Sequence, residues 1–363
     1  MDQALEALRK DCGQEWPALV AARKLTETQC RSIRDEMVAS IGSFPADVDL
    51  VVCGSLARGE YTEGSDIDWT LLVDGAVNSS HLDIARNIEG FLKAKGYKEP
   101  GPTGTFGNLA FSHDLIHLIG GDTDSNANTT RRILLLVESC SLAHGVVRER
   151  VIRAILSRYL EEDTHFKLKP GNKGAIPRFL INDVVRYWRT VAVDYANKVR
   201  SRGGQGWVLR NLKLRLSRKL IFVSGLLMCL ECELDPELPD RPPSKPESEG
   251  SKDKSFPYIQ KLSQSTNRKP LEILACAVQR HAQQHKKSAL AEKLFGSYDY
   301  FLSKLGDPEV RKNLSKLDYQ QAQSDSEFNA LRDAGQTFQE GLIDLFFKSD
   351  DRLTELTQEY AVF

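Results

Sequence analysis

The sequence predicts an α+β fold in which a small mixed sheet near the N-terminus is followed by mostly α-helical domains. Three observations carry that expectation. Short apolar runs bounded by glycine and polar turns occupy the first third of the chain. Helical spacing of apolar residues takes over from about Thr129. A stretch rich in proline and charge then divides the helical remainder.

In chain order, residues 1–45 read as helical, most clearly over 25–41. Val48-Asp49-Leu50-Val51-Val52-Cys53 is a strand that ends at Gly54. A polar turn leads to a second strand over 66–73. Leu82, Ile84, Ile88 and Leu92 recur at helical spacing. The turn-rich segment KEPGPTGTFGN precedes a third strand over 109–119. The polar run from Asp122 to Arg132 leads into the next helix, with Thr129 or Thr130 as its N-cap. Pro170, Gly171, Gly174 and Pro177 mark one helix break, and Gly203, Gly204 and Gly206 another. The expected organisation is N-terminal helices with the mixed α/β unit over 1–145, a helical domain over 146–234, a linker or loop over 235–256, and a helical region over 257–363.

Composition excludes several classes. At roughly 100–200 residues per domain, 363 residues make two domains or three small ones. Hydrophobic residues at 41% and charged residues at 27% exclude disorder over the whole chain. With 49 basic against 50 acidic residues, net charge cannot coat a nucleic acid, though a local basic patch remains open. No apolar run reaches the roughly 20 residues of a bilayer span. The polar, charged start is not expected to be a secretory signal. Seven scattered cysteines read as reduced thiols of a cytoplasmic protein. Cys229 and Cys232 form a lone CxxC in an apolar helix and read as packing, since a zinc site needs four ligands.

The segment that carries chemistry is CGSLARGEYTEGSDIDWTLLVDG, residues 53–75. Alternation along a strand puts Asp66 and Asp68 on one face, with Ile67 and Trp69 on the other. Two adjacent carboxylates repel unless a cation lies between them, and Mg²⁺ takes such oxygens together with phosphate oxygens. Gly54 allows close approach of backbone to a phosphate. Ser55 offers a hydroxyl and an N–H at a helix start, and Arg58 lies one turn further on.

The Gly-Ser pair, the spacer and the Asp-x-Asp together resemble the DNA polymerase β-like nucleotidyltransferase superfamily, through Gly54, Ser55, Arg58, Gly59, Ser65, Asp66, Ile67 and Asp68. Within it, GSLARGEYTEGSDIDW is most similar to the domains related to PII-protein uridylyltransferases, and the resemblance covers about residues 45–120. It implies a palm-like nucleotidyltransferase domain, an NTP such as ATP as substrate, and Mg²⁺ or Mn²⁺. It also implies two-metal transfer of a nucleoside monophosphate to an acceptor hydroxyl. A third carboxylate from a later strand is part of that pattern. Asp114 is the candidate, with Asp122 and Asp124 as rivals, so catalytic and metal roles fall to Asp66, Asp68 and Asp114.

Beyond that segment, WVLRNLKLRLSRK (207–219) is acid-free and clusters Arg210, Lys213 and Arg215, with Arg218 and Lys219 a turn on. It reads either as a basic face gripping triphosphate, with Lys213 and Arg215 as nucleotide ligands, or as a solvated helix face. Asp183 and Arg186 read as an i, i+3 pair. Arg131 or Arg132 could reach the nucleotide, or simply follow the cap. Arg280 and His285 read as a solvated helix face. The expected activity is metal-dependent nucleotidyl transfer to a protein or small molecule, or to RNA. A second-messenger synthase of the same superfamily and a non-catalytic nucleotide sensor or partner-binding module are the alternatives.

Overall fold

The computed structural model describes residues 3–101, 105–161, 176–201, 203–236, 238 and 256–362. Most of the proline- and charge-rich stretch, and Pro170, Gly171 and Gly174 of the expected helix break, lie outside these residues.

Helices α1 (Gln3–Asp11) and α2 (Pro17–Ile41) open the chain. Proline at the first position starts α2, where the missing N–H costs nothing. Gly42 ends it at φ 86°, donating its N–H to Val38 O at 3.0 Å. Four strands follow: β1 (Val48–Val52), β2 (Trp69–Val73), β3 (Asn108–Phe111) and β4 (Cys140–Ser141). They form one sheet in the order β3-β2-β1-β4. β1 is antiparallel to β2 and β4, whereas β2 and β3 are parallel, with Thr70 opposite Asn108 and Val73 opposite Phe111. The mixed sheet and the helical remainder are those expected.

The sheet's alternation divides two apolar cores. Val48, Leu50, Val52, Ile67, Trp69, Leu71 and Val73 point into the smaller one, against Ile33 and Met37 of α2 and Ile88 and Phe91 of α4 (Ser80–Ala94). Val51, Cys53 and Leu72 point the other way, into a core shared with helices from Leu5 to Leu356. Parity therefore sends Asp66 and Asp68 toward the helical part. That part wraps the sheet from both chain ends. Leu19 N in α2, for instance, donates to Asp299 Oδ1 of the Ser297–Gly306 helix at 2.7 Å.

Three expected elements differ. The second strand begins at Trp69 and not at Asp66, which makes only an isolated bridge to Lys98. The third strand stops at Phe111, and Ser112–Ile116 is a helix, α5. Ser112, His113 and Asp114 are three polar residues in succession, followed by apolar Leu115 and Ile116, a pattern that fits a helical turn rather than alternation. The Ser112 hydroxyl fixes this turn by donating to Asp74 Oδ1 at 2.6 Å. Helix α6 (Asn126–Val137) begins earlier than expected, and its N-cap is Ser125, whose hydroxyl accepts from Asn128 N at 3.1 Å.

Arg132, fully buried, ties α6 to the neighbouring helices. Its guanidinium donates to Asp124 at 2.8 Å, Asp183 at 2.7 Å and the Tyr159 hydroxyl at 2.7 Å. Arg186 adds a bond to Asp124 at 3.2 Å. Asp124, Asp183, Arg186 and Arg132 thus form one structural knot away from the sheet's acidic end.

Candidate active site

The site grows from the turn after β1. Gly54 sits at φ +70°, where an L side chain is strained, and a Cβ there would meet Asp68 Oδ2 at 2.8 Å. Glycine is thus needed for both conformation and space. The Asp68 carbonyl accepts from Cys53 N at 2.8 Å, which fixes the carboxylate against the turn. Helix α3 (Gly54–Arg58) is a single turn, closed by Gly59 at φ +77°. Asp66 forms an isolated parallel bridge with Lys98, and Ile67 anchors the segment in the smaller core.

A cavity of about 70 Å³ opens above the turn, room for a few waters. Gly54, Ser55, Asp66 and Asp68 line one side. Lys213, Arg218 and Arg311 line the other, with Phe301 and Leu305 beside them. Burial first, then Asp66, pushes the Asp68 carboxyl up to about 6, with Arg218 and Lys213 opposing. Burial likewise pushes the Lys213 ammonium down to about 8, with Asp66 opposing.

Arg58 lines this cavity, but its guanidinium is committed. Its Nε donates to Glu60 at 2.8 Å and its Nη1 to Glu138 at 2.5 Å, all three residues being buried. Glu138 also accepts from Gly54 N at 3.2 Å, and Tyr298 donates to Glu60 at 2.8 Å. Arg58 therefore braces the turn from beneath, where the sequence suggested a phosphate ligand.

Asp114 is not brought to the pair. It lies on α5, half exposed, with His113 Nδ1 3.5 Å from its carboxylate. Because β2 and β3 run parallel, a residue beyond Phe111 lies past Val73, at the opposite end of β2 from Asp66 and Asp68. Beside the start of β2 the neighbouring strand supplies Asn108. Asp122 is exposed and Asp124 is held by Arg132. Glu138 is a further acid acting on Asp68.

Lys213 faces the pair and Arg215 does not. Residues Leu214–Arg218 form a π-helical turn, which brings i and i+5 to one face, so Lys213 shares the cavity with Arg218. Arg215 instead donates to Asn211 Oδ1 at 2.8 Å and packs on Gly335. Arg210 donates to Gln205 O at 2.6 Å, outside the cavity. Sequence reasoning missed Arg311, Glu60 and Glu138. Glu138 had a signal, a lone acid closing the apolar run ILLLVE.

Two carboxylates with phosphate oxygens and water suit one Mg²⁺, and the mutual repulsion of Asp66 and Asp68 is what a cation would relieve. Among the described residues no group of three His, Cys, Asp or Glu side chains is disposed to hold a metal, so the third carboxylate of a two-metal site is not gathered.

A Gly-Ser turn against a paired carboxylate, faced by three cations, is chemically suited to phosphate groups and a divalent cation. Residues 30–99 match the nucleotidyltransferase domain family, in agreement with the DNA polymerase β-like nucleotidyltransferase superfamily. The match supports nucleoside monophosphate transfer as the general activity of this domain, and implies a nucleoside triphosphate substrate. No curated protein shows significant similarity to the chain. No helix among the described residues is long and apolar enough to cross a membrane.

Proposed function

We propose that the protein is a Mg²⁺-dependent nucleotidyltransferase that moves a nucleoside monophosphate from an NTP to an acceptor hydroxyl and releases pyrophosphate. The observation that carries this reading is the Gly54–Asp68 contact facing Lys213 and Arg218 across one cavity. Asp66 and Asp68 would hold the metal, which when bound neutralises phosphate charge. The Gly54-Ser55 turn would present its N–H and hydroxyl to the phosphates. Lys213 and Arg218 would stabilise charge on the departing pyrophosphate. The acceptor oxygen bonds to the α-phosphorus as the bond to the bridging oxygen breaks. Pyrophosphate leaves with that electron pair, and the hydroxyl proton is lost to water.

Near-neutral net charge favours a protein or small-molecule acceptor over a long RNA held by its phosphates. The region over 1–145 would supply the transferase unit, and the helical regions would close it. One observation favours a non-catalytic nucleotide-binding module instead, namely the absence of a third carboxylate at the pair among the described residues.

The test is incubation with each α-labelled NTP, Mg²⁺ or Mn²⁺ and cell extract, beside the Asp66→Ala/Asp68→Ala double variant. Labelling by the wild type alone supports transfer, and product size reports the acceptor class. Equal labelling by the double variant sinks it.

A further inference from the structure

The third cation on the cavity, Arg311, comes from the Pro308–Lys316 helix of the C-terminal region, far along the chain from either motif. We propose that Arg311 is a polyphosphate ligand, so that the C-terminal helical region binds the triphosphate directly; this rests on the nucleotidyltransferase reading above.

Placement is the first argument. The helix is seated by Asp307, whose carboxylate accepts from Glu309 N at 2.9 Å and Val310 N at 3.1 Å. One turn in, Arg311 Nη1 donates to Thr62 Oγ1 at 3.2 Å. Thr62 belongs to the turn that precedes Asp66, with its hydroxyl 3.1 Å from Ser65 Oγ. The guanidinium thus rests on the loop joining the Gly-Ser turn to the carboxylate pair.

Space is the second argument. A Cβ on Gly64 would lie 2.9 Å from Arg311 Nη1 and 3.1 Å from its Cζ. Gly64 does not have a positive φ, so its backbone does not call for glycine. What glycine provides there is room for the planar guanidinium.

Charge is the third. Arg311, Lys213 and Arg218 form no ion pair with a carboxylate among the described residues, although all three are at least partly buried. Burial pushes the Arg311 guanidinium down from its ordinary range, and Asp66 opposes this. Three cations are held out of water around one small cavity, with Asp66 and Asp68 acting on them only across it and the Tyr187 hydroxyl on Arg218, so an anion in the cavity would meet all three. An arginine fork matches phosphate oxygens two at a time, and a polyphosphate brings the charge and the reach to meet three separate cations at once.

The experiment is calorimetric titration of the full chain, in Mg²⁺ and without acceptor, with each of the four ribonucleoside triphosphates and with inorganic tripolyphosphate, a base-free probe. The variants are Arg311→Gln, Arg311→Lys and Thr62→Val, each checked for an unchanged unfolding midpoint. Losing a charge-assisted bidentate contact should weaken triphosphate and tripolyphosphate binding about ten- to hundredfold in R311Q. R311K, which keeps a point charge, should fall between R311Q and wild type. T62V removes the Thr62 bond while keeping the guanidinium, and should bind within about threefold of wild type, a change too small for a lost phosphate contact.

Wild-type affinity retained by R311Q overturns the proposal while leaving the transferase reading intact. Equal losses in T62V and R311Q also overturn it, because Arg311 then acts only by bracing the loop. A wild type that binds neither triphosphates nor tripolyphosphate overturns both readings. Should R311Q unfold, R311K against T62V decides by the same comparison.

Discussion

Replacing Arg58 and Lys213 in turn by methionine should shift the stability of the nucleotide-free protein in opposite directions, although both are cations on one cavity. Arg58 neutralises two buried carboxylates, Glu60 and Glu138. Removing it leaves both without a cation, and breaking a buried pair in this way costs about 3–5 kcal/mol. Lys213 has no such partner, and burial has driven its ammonium from 10.5 to about 8. That shift corresponds to a penalty of about 3 kcal/mol on the charged form in the folded chain. The penalty is full below the folded value of about 8 and fades toward 10.5, where the unfolded chain also loses its proton. Lys213→Met should therefore stabilise the nucleotide-free protein at pH 7 by about 1–3 kcal/mol, with the gain shrinking as pH approaches 10.5. Guanidinium unfolding followed by tryptophan fluorescence, at neutral and alkaline pH, reads both effects as midpoint shifts at constant slope. A neutral Arg58→Met, or a Lys213→Met that unfolds more easily at pH 7, would refute the assignment of one as a brace and the other as a ligand.

Other expectations follow from the same geometry. Gly54→Ala should cost about 1–2 kcal/mol for its left-handed backbone, yet abolish labelling by α-labelled NTP, since the new methyl displaces the Asp68 carboxylate. Asp68→Asn should stabilise the metal-free protein above pH 6, because its raised carboxyl opposes folding once ionised; melting curves should converge below pH 4. Arg132→Met should cost about 3 kcal/mol in denaturant without touching the cleft, the low end for a broken buried pair, because Arg186 stays 3.2 Å from Asp124.

What was legible in the sequence is what lies close together in it. The Gly54-Ser55 turn and the Asp66/Asp68 pair fall within one strand-turn-strand unit, where alternation alone fixes which side chains share a face. Lys213 was visible as part of an acid-free helix face, but the choice between Arg215 and Arg218 was not. It depends on a π-helical turn whose wider winding no residue pattern announces. Arg58 could not be told from a phosphate ligand, because Glu138 meets it only once α6 is packed and Glu60, two residues on, gave no pattern of its own. The third strand was misread because Leu109–Ile119 mixes one strand's end with one helix's start. Arg311 was out of reach altogether, being one basic residue among many on a charged helix, brought in by tertiary packing.

The cavity's wall is assembled from residues as far apart as Gly54 and Arg311. Proteins are made from the N-terminus, and domains settle as they emerge. A growing chain carries its acidic pair from early on, with the sheet face of Val51 and Leu72 bare until the helices arrive to cover it. Lys213 and Arg218 follow that pair, and only after residue 311 has been added is the cationic wall complete. Excision of residues 30–99 alone would leave the sheet face of Val51 and Leu72 in water, with a tendency to clump.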